Sequence, residues 1–158
     1  MSAKIHPEAQ ISPEATIGEG TEIGPKSIID GFVVIGANCR IGQNVSIGPD
    51  VVIEDSVTIE DNATLTGPAW IEQGVHIFPN VRLGVELLTG RLGDGITRIL
   101  KGSRILANAT ISTGVKIGPK SQVHTSARVV EDVLPRWVVL GDPAEKLLWF
   151  FIDGEADL

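Results

Sequence analysis

At 158 residues, 42% of them hydrophobic, the chain is long enough for one domain with a sizeable core and too short for two independent ones. Its formal charge of −7, the absence of Tyr, and only four Phe and three Trp argue against a nucleic-acid partner. A single cysteine, Cys39, rules out an intrachain disulfide and is a poor start for a zinc site, and no metal is expected.

The N-terminal residues lack the apolar stretch of a signal peptide, and the longest strongly apolar run, residues 147–152, is six residues long. Neither secretion nor a membrane span is expected, and the cytoplasm is the expected compartment. From Ile5 onward an aliphatic residue recurs every sixth position: 5, 11, 17, 23, 29, 35, 41, 47, 53, 59, 65, 71, 77 and 83. Four residues after each stands a small or β-branched residue, among them Thr21, Ser27, Cys39, Val45, Val57 and Val81, with Leu87 the one large exception. Both positions are expected to point inward. A period of six fits neither the 3.6-residue stripe of an α-helix nor the alternation of a long strand. It fits short strands separated by tight corners, where residues such as Gly20, Asn38, Asn44, Asp50, Asn62, Gly74 and Asn80 tolerate a left-handed backbone. Three sixes make one triangular coil of 18 residues, and stacked coils pair their strands in parallel around an aliphatic axis.

The register breaks once, across residues 89–98, and resumes at Ile99, Ile105, Ile111, Ile117, Val123 and Val129. A segment expelled from a regular solenoid is tolerated at the surface and often carries function, so this corner is the expected site. Counting by coils across the break places Val85 and Glu86 under Thr113 and Gly114, with Glu131 eighteen residues above Thr113. Charge is uneven along the chain. Residues 1–79 carry three basic and eleven acidic side chains, whereas Arg91, Arg98, Lys101, Arg104, Lys116, Lys120 and Arg128 are opposed between them only by Asp94. That stretch suits an anion, although charge runs are often only a solvated face. Residues 141–158, rich in Leu, Trp and Phe, are expected to cap the open end of a helix spanning residues 1–140.

The aliphatic-Gly-x-x-small-x pattern resembles the hexapeptide-repeat acyltransferases, which implies an all-β, left-handed parallel β-helix and a homotrimer. Ile5-His6-Pro7-Glu8-Ala9, the run Ile35 to Val45, and Gly141-Asp142-Pro143-Ala144-Glu145-Lys146 look most like the N-acetyltransferases of nucleotide-linked amino sugars. The implied donor is acetyl-coenzyme A, lying between two subunits, and the implied acceptor is the amine of a nucleotide sugar. By the same resemblance, the column of Thr113, Gly114 and Glu131 holds the pantetheine arm and thioester. Lys116, Lys120 and Arg128 are the candidates for the phosphates. The chain departs from that family where Trp-His-Phe is replaced by Ile23-Gly24-Pro25 and Phe-Thr-Asn by Leu83-Gly84-Val85, which leaves the acceptor open. O-acetyl or longer-chain acyl transfer to another small acceptor, and a non-catalytic scaffold, are the alternatives. Lys4 to Lys26 also resembles the acyltransferases of lipid A synthesis, but no His lies between His76 and His124 to supply their catalytic residue. His6, His76 and His124 do not reproduce the spacing of the zinc-binding carbonic anhydrases of this fold. A neutral amine is already nucleophilic, so positioning and oxyanion stabilisation by backbone N–H groups can suffice. If a base acts, His76 and then Glu86 are the candidates.

Overall fold

The computed structural model describes residues 2–87 and 93–147, with the backbone of residues 151–152 and 155–156. Short parallel strands stack into three sheets as a left-handed β-helix. Sheet A contains Lys4–Ile5, Glu22–Ile23, Arg40–Ile41, Thr58–Ile59, His76–Ile77, Arg104–Ile105 and Gln122–Val123 in spatial order. Sheet B runs from Gln10–Ile11 to Arg128–Val129, and sheet C from Thr16–Ile17 to Lys116–Ile117. Each coil passes from A to B to C, so the section is a triangle in which every sheet faces the corner between the other two.

The register follows from the sequence period. Ile23 pairs with Ile41, Ile41 with Ile59 and Ile59 with Ile77, each step eighteen residues, and the aliphatics from Ile23 to Leu83 are buried. At the open N-terminal end this fails in part: Ile5 is 42% exposed, and Ile11 and Ile17 are only half-buried. They point along the axis, but no coil lies beneath them among the described residues. Inward hydroxyls are satisfied by the neighbouring coil: Thr21 Oγ1 donates to the Gly36 carbonyl (2.7 Å) and accepts from the Cys39 N–H (3.1 Å). Cys39 itself is core, and burial raises its thiol pKa.

The expected left-handed corners are present at Gly20, Asn38, Asn44, Asp50, Asn62, Gly74 and Asn80. Lys26, Phe32, Ser56, Lys120 and Arg136 also adopt positive φ, at a cost of about 1–2 kcal/mol per residue that the surrounding ladder outweighs. The glycines that directly follow the aliphatics mostly do something else. A Cβ on Gly24 would lie 2.7 Å from the Gly42 carbonyl carbon, so the missing side chain allows one coil to lie close on the next.

Above the seventh strand of sheet A, Val138–Gly141 pairs in parallel with Gln122–Val123 and then antiparallel with Ala144–Lys146, forming a hairpin at that end of the sheet. The side chains of residues 148–158, most of the expected cap, lie outside the described residues, as do Leu88 to Leu92 of the register break. Among the described residues no helix is long and apolar enough to cross a membrane.

Candidate functional site

The register break falls at the corner between sheets B and C. Ile53 pairs with Ile71 across eighteen residues, but Ile71 pairs with Ile99 across twenty-eight, so ten extra residues are inserted at that corner. Sheet C already resumes at Thr97, since Thr97–Ile99 forms a strand on Ala69–Ile71. Asp94 closes the returning segment. It accepts two bonds from the Arg98 guanidinium (3.0 and 2.8 Å) and one from the Ile96 N–H (3.0 Å). The Arg98 hydrogen bonds lower the Asp94 pKa from 3.8 to about 2.

Directly above the break, the corner Ser112 to Val115 is built on the coil below. Leu83 pairs with Ile111, and a bulge then sets Val85 opposite Ser112. The Thr113 N–H donates to the Val85 carbonyl (2.9 Å), and Thr113 Oγ1 donates to the Gly84 carbonyl (2.8 Å). Gly114 turns the corner with φ of 84°, and its N–H donates to Thr97 Oγ1 (3.0 Å). Neither N–H is therefore available to an oxyanion unless it leaves its present partner. Glu86 is exposed on the lower coil and Glu131 on the upper one, and the bulge sets Val85 opposite Ser112 rather than under Thr113, where counting by coils puts it.

The cations do not converge in one chain. Lys116 stands outward on sheet C beside Arg98, Lys120 lies at the corner between C and A, and Arg128 is on sheet B. Two Arg side chains of the basic stretch are also engaged: Arg98 by Asp94, and Arg128 by Asp142 at 3.4 Å. Sequence proximity thus overstated the cationic wall, because residues four to eight apart in an 18-residue coil face different directions. Arg91 lies outside the described residues.

His76 is on sheet A, the face opposite the B–C corner, so one chain does not bring it to Thr113 and Gly114. Its Nε2 lies 2.5 Å from Glu60 Oε2, and its ring stacks on Phe78 at 4.0 Å, with Arg104 over the other ring at 5.2 Å. Glu60 was not singled out from the sequence. It lies eighteen residues before Phe78, so the coil count that located Thr113 would have set it beneath the neighbour of His76. The dyad closes the upper end of a groove of about 1050 Å³ along sheet A, lined among others by Lys4, Glu22, Arg40, Thr58 and Glu60. His6 lies at the lower end of that groove and His124 is exposed two coils above His76. Among the described residues no three metal-ligating side chains are grouped.

Residues 32–67 match the bacterial transferase hexapeptide family, a profile of six repeats. No curated protein matches the chain by sequence. The acetyltransferase domain of PglB from Neisseria gonorrhoeae FA1090, solved in complex with acetyl coenzyme A, is 25% identical with a TM-score of 0.66, over 92% of this chain and 58% of that one. PerB from Caulobacter crescentus, in complex with CoA and GDP-perosamine, is 22% identical with a TM-score of 0.51 over 93% and 57%. A hexapeptide transferase family protein from Anaplasma phagocytophilum is 14% identical with a TM-score of 0.52 over 92% and 77%. The last two likenesses concern the fold, and the chain spans less than two thirds of the PglB and PerB chains. The chain thus carries the bacterial transferase hexapeptide repeat, and its fold resembles that of the hexapeptide-repeat acetyltransferases.

Proposed function

We propose that this protein transfers the acetyl group of acetyl-coenzyme A to the amine of a nucleotide-linked amino sugar, as a homotrimer in the cytoplasm. The observation that carries the reading is the B–C corner. The ten residues inserted between sheets B and C fall at the corner on which Thr113 is built, in a fold similar to an acetyltransferase domain that binds acetyl coenzyme A. Thr113, Gly114 and Glu131 form the wall along which the pantetheine arm runs, and Lys116, Lys120 and Arg128 are the cations for its phosphates. The amine nitrogen attacks the thioester carbonyl carbon, the C–S bond breaks, and the thiolate leaves with the bonding pair. The proton lost by the amine goes to His76, whose imidazole Glu60 holds in place, and from there to the leaving sulfur. Glu86 stands at the same corner as the thioester but has no orienting partner comparable to Glu60 among the described residues.

Isothermal titration with acetyl-coenzyme A followed by mass spectrometry of a panel of nucleotide-linked amino sugars tests the reading. Binding together with a product that gains one acetyl group supports it. Binding without acetylation of any amine, but with acetylation of a hydroxyl acceptor, transfers the assignment to an O-acetyltransferase.

A further inference from the structure

At the corners between sheets A and B and between C and A, the N–H of the left-handed residue donates to a carbonyl of the coil below. Asn38 donates to the Glu19 carbonyl (2.9 Å), Asn62 to that of Gln43 (3.0 Å), Asn80 to that of Asp61 (3.1 Å) and Lys120 to that of Lys101 (2.9 Å). Each acceptor is the residue just before the corner one coil down, so the peptide entering such a corner aims its N–H down the helix and its carbonyl up. Gly114 also turns its corner with positive φ, but the coil beneath it is the one that carries the ten-residue insertion. Among the described residues no carbonyl of that coil receives its N–H. Thr97 Oγ1 accepts it instead, at 3.0 Å.

Packing does not call for a hydroxyl at position 97. Thr97 is fully buried and pairs with Ala69, in an inward column of sheet C that Val51 and Val115 also occupy. A Val would fill the same space. Elsewhere a buried hydroxyl accepts the N–H eighteen residues on, directly above it: Thr21 from Cys39 and Ser27 from Val45. Thr97 reaches seventeen residues on, to Gly114, and the Val115 N–H above it donates to the Ser112 carbonyl (3.3 Å). The hydroxyl thus replaces the carbonyl that the insertion removed, because a buried N–H must find an acceptor.

A trans peptide holds its C=O and N–H in opposite directions, and the bond between Thr113 and Gly114 is trans. By drawing the Gly114 N–H towards the core, Thr97 turns the Thr113 carbonyl away from it. At a regular corner that carbonyl would accept the corner N–H of the coil above. Here the residue above is Asp132, and among the described residues no N–H donates to the Thr113 carbonyl. The Asp132 carboxylate accepts instead from the Lys116 N–H (2.9 Å). The corner beside the proposed thioester therefore has a free acceptor, whereas its two N–H groups are taken by Val85 and Thr97.

From this we infer that Thr97 is a positioning residue of the acetyl transfer: it fixes the corner peptide so that the Thr113 carbonyl meets the ligand and holds a group that carries an N–H. The inference rests on the acetyltransferase reading for the identity of that group, but not for the direction of the peptide. Two N–H donors come to the corner in the reaction, the pantetheine amide next to the thioester and the attacking amine. An amine suits this corner where an alcohol does not. It has one N–H to lose to the base and another to leave on the Thr113 carbonyl, a bond that strengthens as the nitrogen gains positive charge on attack. An alcohol has a single O–H, which the base must take. The corner thus favours acetylation of nitrogen over oxygen.

The test compares Thr97→Val, which removes the acceptor and keeps the shape, with Thr97→Ser, which keeps the acceptor. Thr21→Val is the control, since it removes a buried hydroxyl of the same kind from a lower coil. Hydrogen exchange followed by NMR should find the Gly114 N–H protected in the native chain and in Thr97→Ser, and exchanging about tenfold faster in Thr97→Val, with circular dichroism unchanged. The ligand is read by titration with acetyl-coenzyme A and with an analogue carrying an ester oxygen in place of the amide N–H nearest the sulfur, and by kcat/KM for an amino sugar. If the pantetheine amide is the donor, the native chain should prefer acetyl-coenzyme A to the analogue by about tenfold, and Thr97→Val should lose that preference. If the amine is the donor, the native chain should bind both alike, and Thr97→Val should lose about tenfold in kcat/KM for the amino sugar at unchanged donor affinity. Thr97→Ser should restore either loss, and Thr21→Val should cause neither. A Thr97→Val chain that matches the native one in both measurements, or a loss that Thr97→Ser does not restore or Thr21→Val reproduces, would overturn the inference. Equal exchange of the Gly114 N–H in all four chains would overturn the direction of the peptide. A protected Gly114 N–H in a chain that binds no acetyl-coenzyme A and acetylates nothing would overturn the acetyltransferase reading and with it the part given to Thr97, but not the direction of the peptide.

Discussion

Gly84→Ala is the substitution whose cost the structure resolves best, because it sits at the base of the proposed site and has a natural control. Gly84 has φ of 82°, and a Cβ there would overlap the Thr66 carbonyl oxygen and lie 3.1 Å from its carbon. A left-handed backbone costs an L-residue about 1–2 kcal/mol, and overpacking against fixed backbone adds roughly 1–3 kcal/mol. The sum is about 2–5 kcal/mol. Gly74 has φ of 73° but open space where its Cβ would lie, so Gly74→Ala should cost only the first part, about 1–2 kcal/mol. Urea denaturation of the two variants isolates the packing contribution as the difference between them. The Gly84 carbonyl also accepts from Thr113 Oγ1, so Gly84→Ala should weaken acetyl-coenzyme A binding while Gly74→Ala leaves it unchanged. Equal destabilisation by the two substitutions would refute the argument that coil-on-coil contact, rather than backbone conformation, requires glycine at position 84.

His76→Ala should lower kcat by about 10²- to 10⁴-fold with donor affinity retained, the usual worth of general acid–base catalysis, and a loss below tenfold would leave positioning as the whole mechanism. Glu60→Gln should fall between these in kcat with KM for the donor unchanged, because Glu60 orients the imidazole; an unchanged kcat would leave it without a part in the reaction. Asp94 has a folded pKa of about 2 against a usual 3.8, so its contribution to closing the returning segment is full above about pH 4 and is lost as pH falls through about 2. Carboxyl-carbon NMR titration checks this, and Arg98→Gln should return the midpoint towards the usual value. Burial raises the Cys39 thiol pKa, so iodoacetamide should label it slowly in the folded chain and readily in urea. Fast labelling of the native protein would place Cys39 at the surface.

The fold was legible because each coil repeats one physical problem: an aliphatic residue to fill the axis, a small one beside it, and a corner residue that accepts positive φ. The same count located the corner of Thr113 and Gly114 across a ten-residue insertion, since Leu83 and Ile111 must still stack. Phe32, Lys26 and Arg136 at left-handed corners were not legible. The local cost of about 1–2 kcal/mol is small beside the ladder that imposes it, so the residue type need not advertise the conformation. Counting coils gave the candidate residues their levels, to within the one-residue bulge at Val85, but not their faces. Lys116, Lys120 and Arg128 are neighbours in sequence yet lie on three different surfaces, and His76 lies opposite the residues it was expected to serve. Only an arrangement of several copies can reunite them, and nothing in the period of a single chain encodes that arrangement.

The central claim is tested most directly by incubating the protein with acetyl-coenzyme A and a nucleotide-linked amino sugar and following the release of free thiol together with the mass of the sugar. The account predicts one free thiol for each acetylated sugar, with a rate proportional to the concentration of the protein. Neither binding of acetyl-coenzyme A at millimolar concentration nor acetylation of any amino sugar, from a correctly folded trimer, would contradict it.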